Sequence, residues 1–211
     1  MNILCMPVGP LQANCYIVWD DASHACAVDP GGEPERIAQR LTKEGLTLEA
    51  ILVTHGHFDH VEGVKGLAEA TKATVYCSSL VRPALTGAEG CSATGWPIPG
   101  VDGAAVKTVA DGDELKVGAL TVKVIGTPGH TPGDLTYDIE GHLFPGDLIF
   151  FRSVGRTDFP GGDFAVLLRS VGKIAASYPP ETHIHPGHMQ GTTLGAELAH
   201  NPFLTGMDLD G

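Results

Sequence analysis

Four residues of metal-binding type fall within six positions of the chain: His55, His57, Asp59 and His60. With 10 histidines among 211 residues, chance would produce this pattern about once in 700 sequences of the same composition. Imidazole nitrogens and carboxylate oxygens bind Zn²⁺ first, and Fe or Mn next. The segment therefore predicts a metal centre.

The placement of this segment explains its spacing. An apolar run at 50–54 predicts a buried strand, and a helix is expected from about Val61. His55 and His57, two apart on extended backbone, can point to one side and hold one cation. Asp59 and His60, on the turn into the helix, can face a second cation nearby.

Two cations need more ligands than this segment offers. Three further candidates each follow an expected strand, and glycine or proline precedes each of them: His130 after Pro128-Gly129, Asp147 after Gly146, and His188 after Pro186-Gly187. Each alone is a weak signal. Because all three follow the 55–60 segment along the chain, we predict that together they complete the metal centre.

The elements that must position these residues alternate between strands and helices, and no linker divides the chain. Helices are expected at 34–44, after 61, at 163–174 and at 193–200, and two hairpins turn at Gly118-Ala119 and Glu140-Gly141. Strand runs followed by helices, twice over, predict an α/β (α+β) fold of the αββα sandwich type. In that fold, two mixed sheets pack face to face with helices on both outer faces, here as a single domain over residues 1–211.

The composition narrows the function classes. Thirteen Lys and Arg against 25 Asp and Glu give a net charge of −12, which disfavours binding to nucleic acid or to an anionic membrane. No apolar run approaches the ~18 residues of a membrane span, and the start lacks the pattern of a signal peptide. Five widely spaced cysteines without a C-x-x-C pair predict reduced thiols and a cytoplasmic protein.

At this point the sequence resembles the metallo-β-lactamase superfamily over nearly its whole length. Within it, the chain looks most like the short bacterial glyoxalase II-like proteins, also described as hydroxyacylglutathione hydrolase-like. The segments that carry the resemblance are Val28-Asp29-Pro30-Gly31-Gly32, Thr54-His55-Gly56-His57-Phe58-Asp59-His60, Pro128-Gly129-His130-Thr131-Pro132-Gly133, Gly155-Arg156-Thr157-Asp158-Phe159-Pro160, and Thr193-Leu194-Gly195 through Asn201-Pro202-Phe203-Leu204.

The resemblance implies two divalent metal ions, with zinc preferred and iron or manganese as alternatives. His55, His57 and His130 would hold the first ion, Asp59, His60 and His188 the second, and Asp147 would bridge both. The implied reaction is hydrolysis of a glutathione-type thioester such as S-lactoylglutathione by a metal-bridging hydroxide. Asp59 would help to orient the attacking water.

The resemblance also implies a substrate contact for Arg156, whose other interpretation is a salt bridge within its own loop. Two features depart from the family pattern. The chain ends at Gly211, without the helical extension that contacts glutathione, and Asp134 stands where many relatives have histidine.

Other functions of the same fold remain open. The main alternative is a persulfide dioxygenase with a single iron, since it shares a similar Gly-Arg-Thr-Asp-Phe segment, although Pro160 and the C-terminal motif favour the hydrolase. β-Lactam hydrolysis is a further alternative. The acidic charge disfavours an RNA-processing enzyme, and His57 disfavours a flavodiiron-type oxygen reductase. Oligomeric state has no signal in the sequence.

Overall fold

The computed structural model describes residues 1–87 and 96–205, which form strands and helices in the alternation the sequence predicts. The strands are β1 Asn2–Val8, β2 Ala13–Trp19, β3 His24–Val28, β4 Thr47–Leu52, β5 Thr74–Cys77, β6 Val106–Thr108, β7 Glu114–Val117, β8 Leu120–Gly126, β9 Leu135–Ile139, β10 His142–Phe144, β11 Ile149–Phe150, β12 Ser153–Val154, β13 His183–Ile184 and β14 Thr192–Thr193. The α-helices are α1 Pro34–Glu44, α2 Phe58–Val61, α3 Val64–Thr71, α4 Arg82–Leu85, α5 Phe164–Ser177 and α6 Leu194–His200, with a short 3₁₀ turn at Gly103–Ala105.

The strands form two six-stranded mixed sheets and one small hairpin. The first sheet has the order β1-β2-β3-β4-β5-β6 and is antiparallel up to β3 and parallel beyond it. The second has the order β14-β13-β10-β9-β8-β7, in which only the pair of β13 and β10 is parallel. β11 and β12 form the hairpin.

Three apolar clusters define the layers. One lies between the first sheet and α1 and α3, where Ile37 and Leu67 are buried. The second lies between the two sheets, with Leu52 from the first and Tyr137 from the second. The third lies between the second sheet and α5, around Val171. This arrangement confirms the predicted αββα sandwich.

Four strands end at the same edge of the sandwich, and the candidate ligands follow them. β4 is followed by His55, β8 by His130, β10 by Asp147 and β13 by His188. Because a strand end is held by its sheet, the side chains that follow it are held in fixed positions. The sheets therefore bring together residues that lie up to 133 positions apart.

Most elements match the sequence expectation, with three differences. The helix expected from Val61 is divided at Gly63 into α2 and α3, because the Gly63 backbone approaches Pro30 and donates to its carbonyl at 3.0 Å. A Cβ at Gly63 would lie 2.7 Å from that oxygen, so only glycine fits there. The sequence did not predict β1, β6, β14, α4 or the hairpin of β11 and β12. The glycine- and proline-rich segment 87–103 predicts a loop, and this prediction falls partly outside the described residues, at 88–95.

The described residues contain no helix that is long and apolar enough to cross a membrane. Cys5, Cys15, Cys26 and Cys77 are free thiols, and burial raises the pKa of the Cys26 and Cys77 thiols to about 12. Both cysteines are core residues.

The C-terminal motif anchors the hairpin of β11 and β12. Glu197, fully buried in α6, accepts hydrogen bonds from the Arg152 backbone at 2.8 Å and from its guanidinium at 2.9 Å. The Asn201 amide, also fully buried, donates to Glu197 at 3.0 Å and to the carbonyl of Ser153 at 2.8 Å. The motif thus fixes the hairpin to α6.

Asn201→Ala is expected to lower the free energy of unfolding by about 2–3 kcal/mol, since it leaves buried acceptors without donors. Urea denaturation followed by circular dichroism measures this. Exposed Asn2→Ala, on β1, is the control and should change stability by less than about 0.5 kcal/mol. Equal losses in the two variants would contradict the anchoring role.

Candidate metal centre

Six of the seven predicted metal ligands come together in two groups of three. His55, His57 and His130 form one group, and Asp59, His60 and His188 form the other, with one ligand atom of each residue within 4.8 Å of the others in its group. In the first group, His57 Nδ1 and His130 Nε2 lie 2.8 Å apart. In the second, His188 Nε2 lies 3.2 Å from Asp59 Oδ2 and 3.4 Å from His60 Nε2.

The seventh predicted ligand, Asp147, lies between the groups. Its Oδ1 is 3.3 Å from His60 Nε2, in the second group. Its Oδ2 is 3.5 Å from His130 Nε2, in the first, and 3.7 Å from His188 Nε2. One carboxylate therefore faces both groups.

Thr54 and Asp29 orient His55. The Thr54 hydroxyl donates to Asp29 Oδ2 at 2.6 Å, so its oxygen is left to accept the proton of His55 Nδ1 at 3.0 Å. His55 Nε2 is consequently the nitrogen with a free lone pair. It is buried and has no hydrogen-bond partner among the described residues.

Asp29 orients His60 in the same way. His60 Nδ1 donates to Asp29 Oδ2 at 2.9 Å, which leaves Nε2 for the centre. Asp29, His55 and His60 are also close enough to form a third triad. However, both Asp29 oxygens already accept hydrogen bonds, from the Thr54 backbone and hydroxyl and from His60, so Asp29 serves as an orienting group.

Backbone groups complete the geometry. His130 Nδ1 donates to the carbonyl of Arg156 at 2.6 Å, which directs Nε2 to the centre. The chain before His188 must pass very close to Asp147. A Cβ at Gly187 would clash with the Asp147 carboxylate and the His60 ring, so a larger residue there would displace these two side chains.

The charges of the site suit a cation. Burial, and then the neighbouring His130, lower the pKa of His57 to about 4, and burial lowers the pKa of His55 far below its usual value. Both imidazoles are therefore neutral ligands at pH 7. Burial alone would lower the pKa of His60, but Asp147, Asp29 and Asp59 raise it to about 10. The second group thus has an excess of negative charge that a cation would balance.

The buried polar atoms and the donor types of these residues fit a metal centre. His55 Nε2 and Asp147 Oδ1 are buried and lack hydrogen-bond partners within the described part of the chain. Burying polar atoms in this way costs free energy unless something else binds them. Nitrogen and carboxylate donors in two triads are a chemically complete ligand set for divalent metals.

A pocket of about 350 Å³ opens in front of the centre. His57, Asp59, His130, Asp147 and His188 form its polar floor. Its walls are mostly apolar and come from Leu11, Phe58, Phe150, Val154, Phe159 and Met189, with Ser153 and Arg156.

Arg156 lies at this pocket, as expected, but its side chain is paired. Its Nε and Nη2 each donate to one Asp158 oxygen at 2.7 Å, and its guanidinium stacks 3.9 Å from the centre of the Phe159 ring. The loop salt bridge considered from the sequence is therefore present.

Comparison with known proteins gives the family. The model of the metallo-beta-lactamase superfamily matches residues 8–188. The chain belongs to the metallo-β-lactamase superfamily. It is an enzyme of this superfamily, of the hydrolase type, with a metal-binding cluster of His and Asp. A hydroxyacylglutathione hydrolase, GloC of Haemophilus influenzae, is 35% identical over 209 residues, which are 97% of this chain and 98% of the relative.

Three solved structures are similar over nearly the whole chain. BLEG-1, a B3 metallo-β-lactamase, has a TM-score of 0.86 and 38% identity, over 97% of this chain and 100% of the other. A di-iron-bound form of TTHA1623 has a TM-score of 0.83 and 41% identity, over 95% and 100%. ETHE1 from Myxococcus xanthus has a TM-score of 0.81 and 30% identity, over 99% and 87%.

Sequence reasoning missed the orienting residues. Asp29 and Thr54 lie at the ends of two different expected strands, 25–29 and 50–54, and neither was predicted to have a role at the centre. Asn14 was also missed: its amide donates to the carbonyls of Pro186 at 2.9 Å and Met189 at 2.8 Å, which holds the loop of His188.

Asp29→Asn is expected to weaken metal binding at His60 about 10- to 100-fold, because the orienting carboxylate becomes a neutral amide. Metal per chain, measured by mass spectrometry after dialysis against graded chelator concentrations, reports this. Glu33→Gln, at the exposed end of the same loop, is the control. Identical retention curves for Asp29→Asn and the parent would contradict the orienting role.

Proposed function

We propose that this enzyme hydrolyses thioesters of small thiols, with glutathione thioesters such as S-lactoylglutathione among them, at a centre of two divalent metal ions. Asp147 carries the proposal, because it faces both ligand groups at the floor of the pocket. The 35% identity to a hydroxyacylglutathione hydrolase supports the substrate class. Reduced thiols are consistent with a cytoplasmic location.

We assign the metal ligands as the sequence predicts: His55, His57 and His130 for one ion, Asp59, His60 and His188 for the other, and Asp147 for both. Zinc is the first choice, and iron is supported by the di-iron neighbour. Bound there, the ions acidify a water and stabilise negative charge on a carbonyl oxygen.

Among the chain's own groups, Asp59 is placed to orient the reacting water. Asp59 is buried, and hydrogen bonding to His188, with the nearby His60, outweighs burial and lowers its pKa to about 2. Its carboxylate is therefore ionised at pH 7, and it can accept a hydrogen bond from a water and orient it. The thiolate leaves without a general acid because thiols are acidic.

Hydrolysis of S-lactoylglutathione by the purified protein, loaded in turn with Zn²⁺, Mn²⁺ and Fe²⁺, tests this proposal. Loss of the thioester absorbance and release of one thiol per turnover are the expected results. Full loss of activity with a chelator, and recovery when metal is added, complete the test. A metal-loaded, folded protein without thioesterase activity would contradict it.

A second candidate is a persulfide dioxygenase with one iron. The similarity to ETHE1, at 30% identity and a TM-score of 0.81, supports this alternative. An enzyme with one iron would leave the triad of Asp59, His60 and His188 without a metal ion to bind. The presence of that triad therefore favours the hydrolase. Oxygen consumption with glutathione persulfide, measured beside the thioester assay on the iron-loaded protein, separates the two.

A further inference from the structure

The charged side chains around the pocket affect which thioesters can bind there. Glutathione carries two carboxylates, and a cation is the usual partner for a carboxylate in a protein. Among the described residues that line the pocket, Arg156 is the one lysine or arginine. The undescribed positions, 88–95 and 206–211, contain no lysine or arginine in the sequence.

Arg156 is already occupied in a specific way. Asp158 takes the guanidinium with two parallel hydrogen bonds of 2.7 Å each, the geometry in which arginine binds carboxylates most firmly. The face of the guanidinium is covered by Phe159, 3.9 Å from the ring centre. A substrate carboxylate would have to displace Asp158 or approach a pair with no net charge.

Both side chains of the pair are more than half exposed, with relative exposures of 55% for Arg156 and 67% for Asp158. Solvent screens the pair, so its strength is modest and the exchange of one carboxylate for another is feasible. The overall charge of −12 also disfavours anionic substrates.

We propose that Asp158 is a specificity-determining residue that acts as a charge filter: by occupying Arg156, it makes the pocket discriminate against thioesters whose thiol half is anionic. This inference rests on the proposed thioester hydrolysis. It concerns the wall of the pocket, formed by the Arg156–Asp158 pair and Phe159, and does not involve the metal ligands. Within the proposed range of thioesters, the pocket would favour those with a neutral thiol half over those of glutathione.

Asp158→Asn tests the filter, because it keeps the shape of the side chain and removes its charge. Two substrates are compared, anionic S-lactoylglutathione and the uncharged S-lactoyl thioester of N-acetylcysteamine. The ratio of their KM values, glutathione to neutral, should fall about 3- to 10-fold in the variant. A purely structural role for Asp158 would change both KM values together and leave the ratio as it was.

Two further variants isolate the cause. Arg156→Gln combined with Asp158→Asn should abolish the gain, since the uncovered cation is then absent. His130 contacts only the backbone carbonyl of Arg156, so this double variant keeps that hydrogen bond. Glu44→Gln is the matched control: it makes the same change of net charge in a partly exposed pair with Arg40, on α1. A gain as large in Glu44→Gln would overturn the filter.

Binding of S-methylglutathione, which cannot be hydrolysed, separates the two proposals. Calorimetry should show its Kd falling by the same factor in Asp158→Asn. If neither thioester is hydrolysed but this change in Kd is found, thioester hydrolysis fails and the charge filter stands. If hydrolysis is found but neither the KM ratio nor the Kd changes, the charge filter is wrong and the proposed function stands.

Discussion

Asp59→Asn is expected to lower kcat for thioester hydrolysis by about 10²–10⁴-fold, the usual contribution of a positioned acid–base group. Asp59 Oδ2 lies 3.2 Å from His188 Nε2 and 3.7 Å from His60 Nε2, at the floor of the pocket. Asparagine keeps the shape of the side chain but removes the negative charge that holds a cation and the basicity that orients a water.

The measurement combines steady-state kinetics with metal content per chain. One metal equivalent should remain, because the histidine triad of the first group is unchanged, while the second equivalent is weakened. A variant that has lost the second metal but hydrolyses S-lactoylglutathione at the parent rate would show that one metal suffices. That result would favour the mono-iron alternative.

The ligand residues could be predicted because their chemistry is rare and their positions follow a rule. Histidine and aspartate directly after a strand, with glycine or proline forcing a turn, indicate a site at a sheet edge. His130, Asp147 and His188 each follow this rule, and the structure brings all three to the same edge. Periodicity and turn residues likewise predicted α1, α5 and both hairpins.

The orienting residues could not be predicted, because their contacts depend on strand register. Asp29 and Thr54 meet because β3 and β4 pair in parallel with Val28 opposite Leu52. A shift of one residue would turn these side chains to opposite faces. Local sequence specifies neither the register nor the partner strand. A carboxylate 26 positions before His55 and 31 before His60 therefore appears unrelated to the histidines it supports.

For a similar reason, the sequence could not predict which carboxylate the Arg156 guanidinium binds. Its position near the pocket followed from the resemblance, but whether it binds substrate or Asp158 depends on the conformation of the 155–162 loop. Gly162 is constrained there, since a Cβ would lie 2.5 Å from the carbonyl of Thr157. This tight turn keeps Arg156, Asp158 and Phe159 close to one another.

Asp147→Asn is expected to have the larger effect of the two catalytic substitutions, a loss of at least about 10⁴-fold in kcat/KM. Asp147 is the carboxylate that faces both groups, 3.3 Å from His60 and 3.5 Å from His130. A single preorganised electrostatic stabiliser is worth about 10²–10³-fold in rate. Removing the shared charge weakens two such stabilisers together, whereas Asp59→Asn weakens one.

Metal analysis distinguishes this explanation from general destabilisation. Asp147→Asn should lose both metal equivalents at chelator concentrations that remove only one from Asp59→Asn. The control is Asp138→Asn, another buried carboxylate, which bonds to Tyr178 and Gly141 on the second sheet. It should retain both metals and the parent activity even where it lowers stability. If Asp147→Asn retained one tightly bound metal and lost activity no further than Asp59→Asn, the two groups would be independent sites, and the assignment of Asp147 as their shared ligand would be wrong.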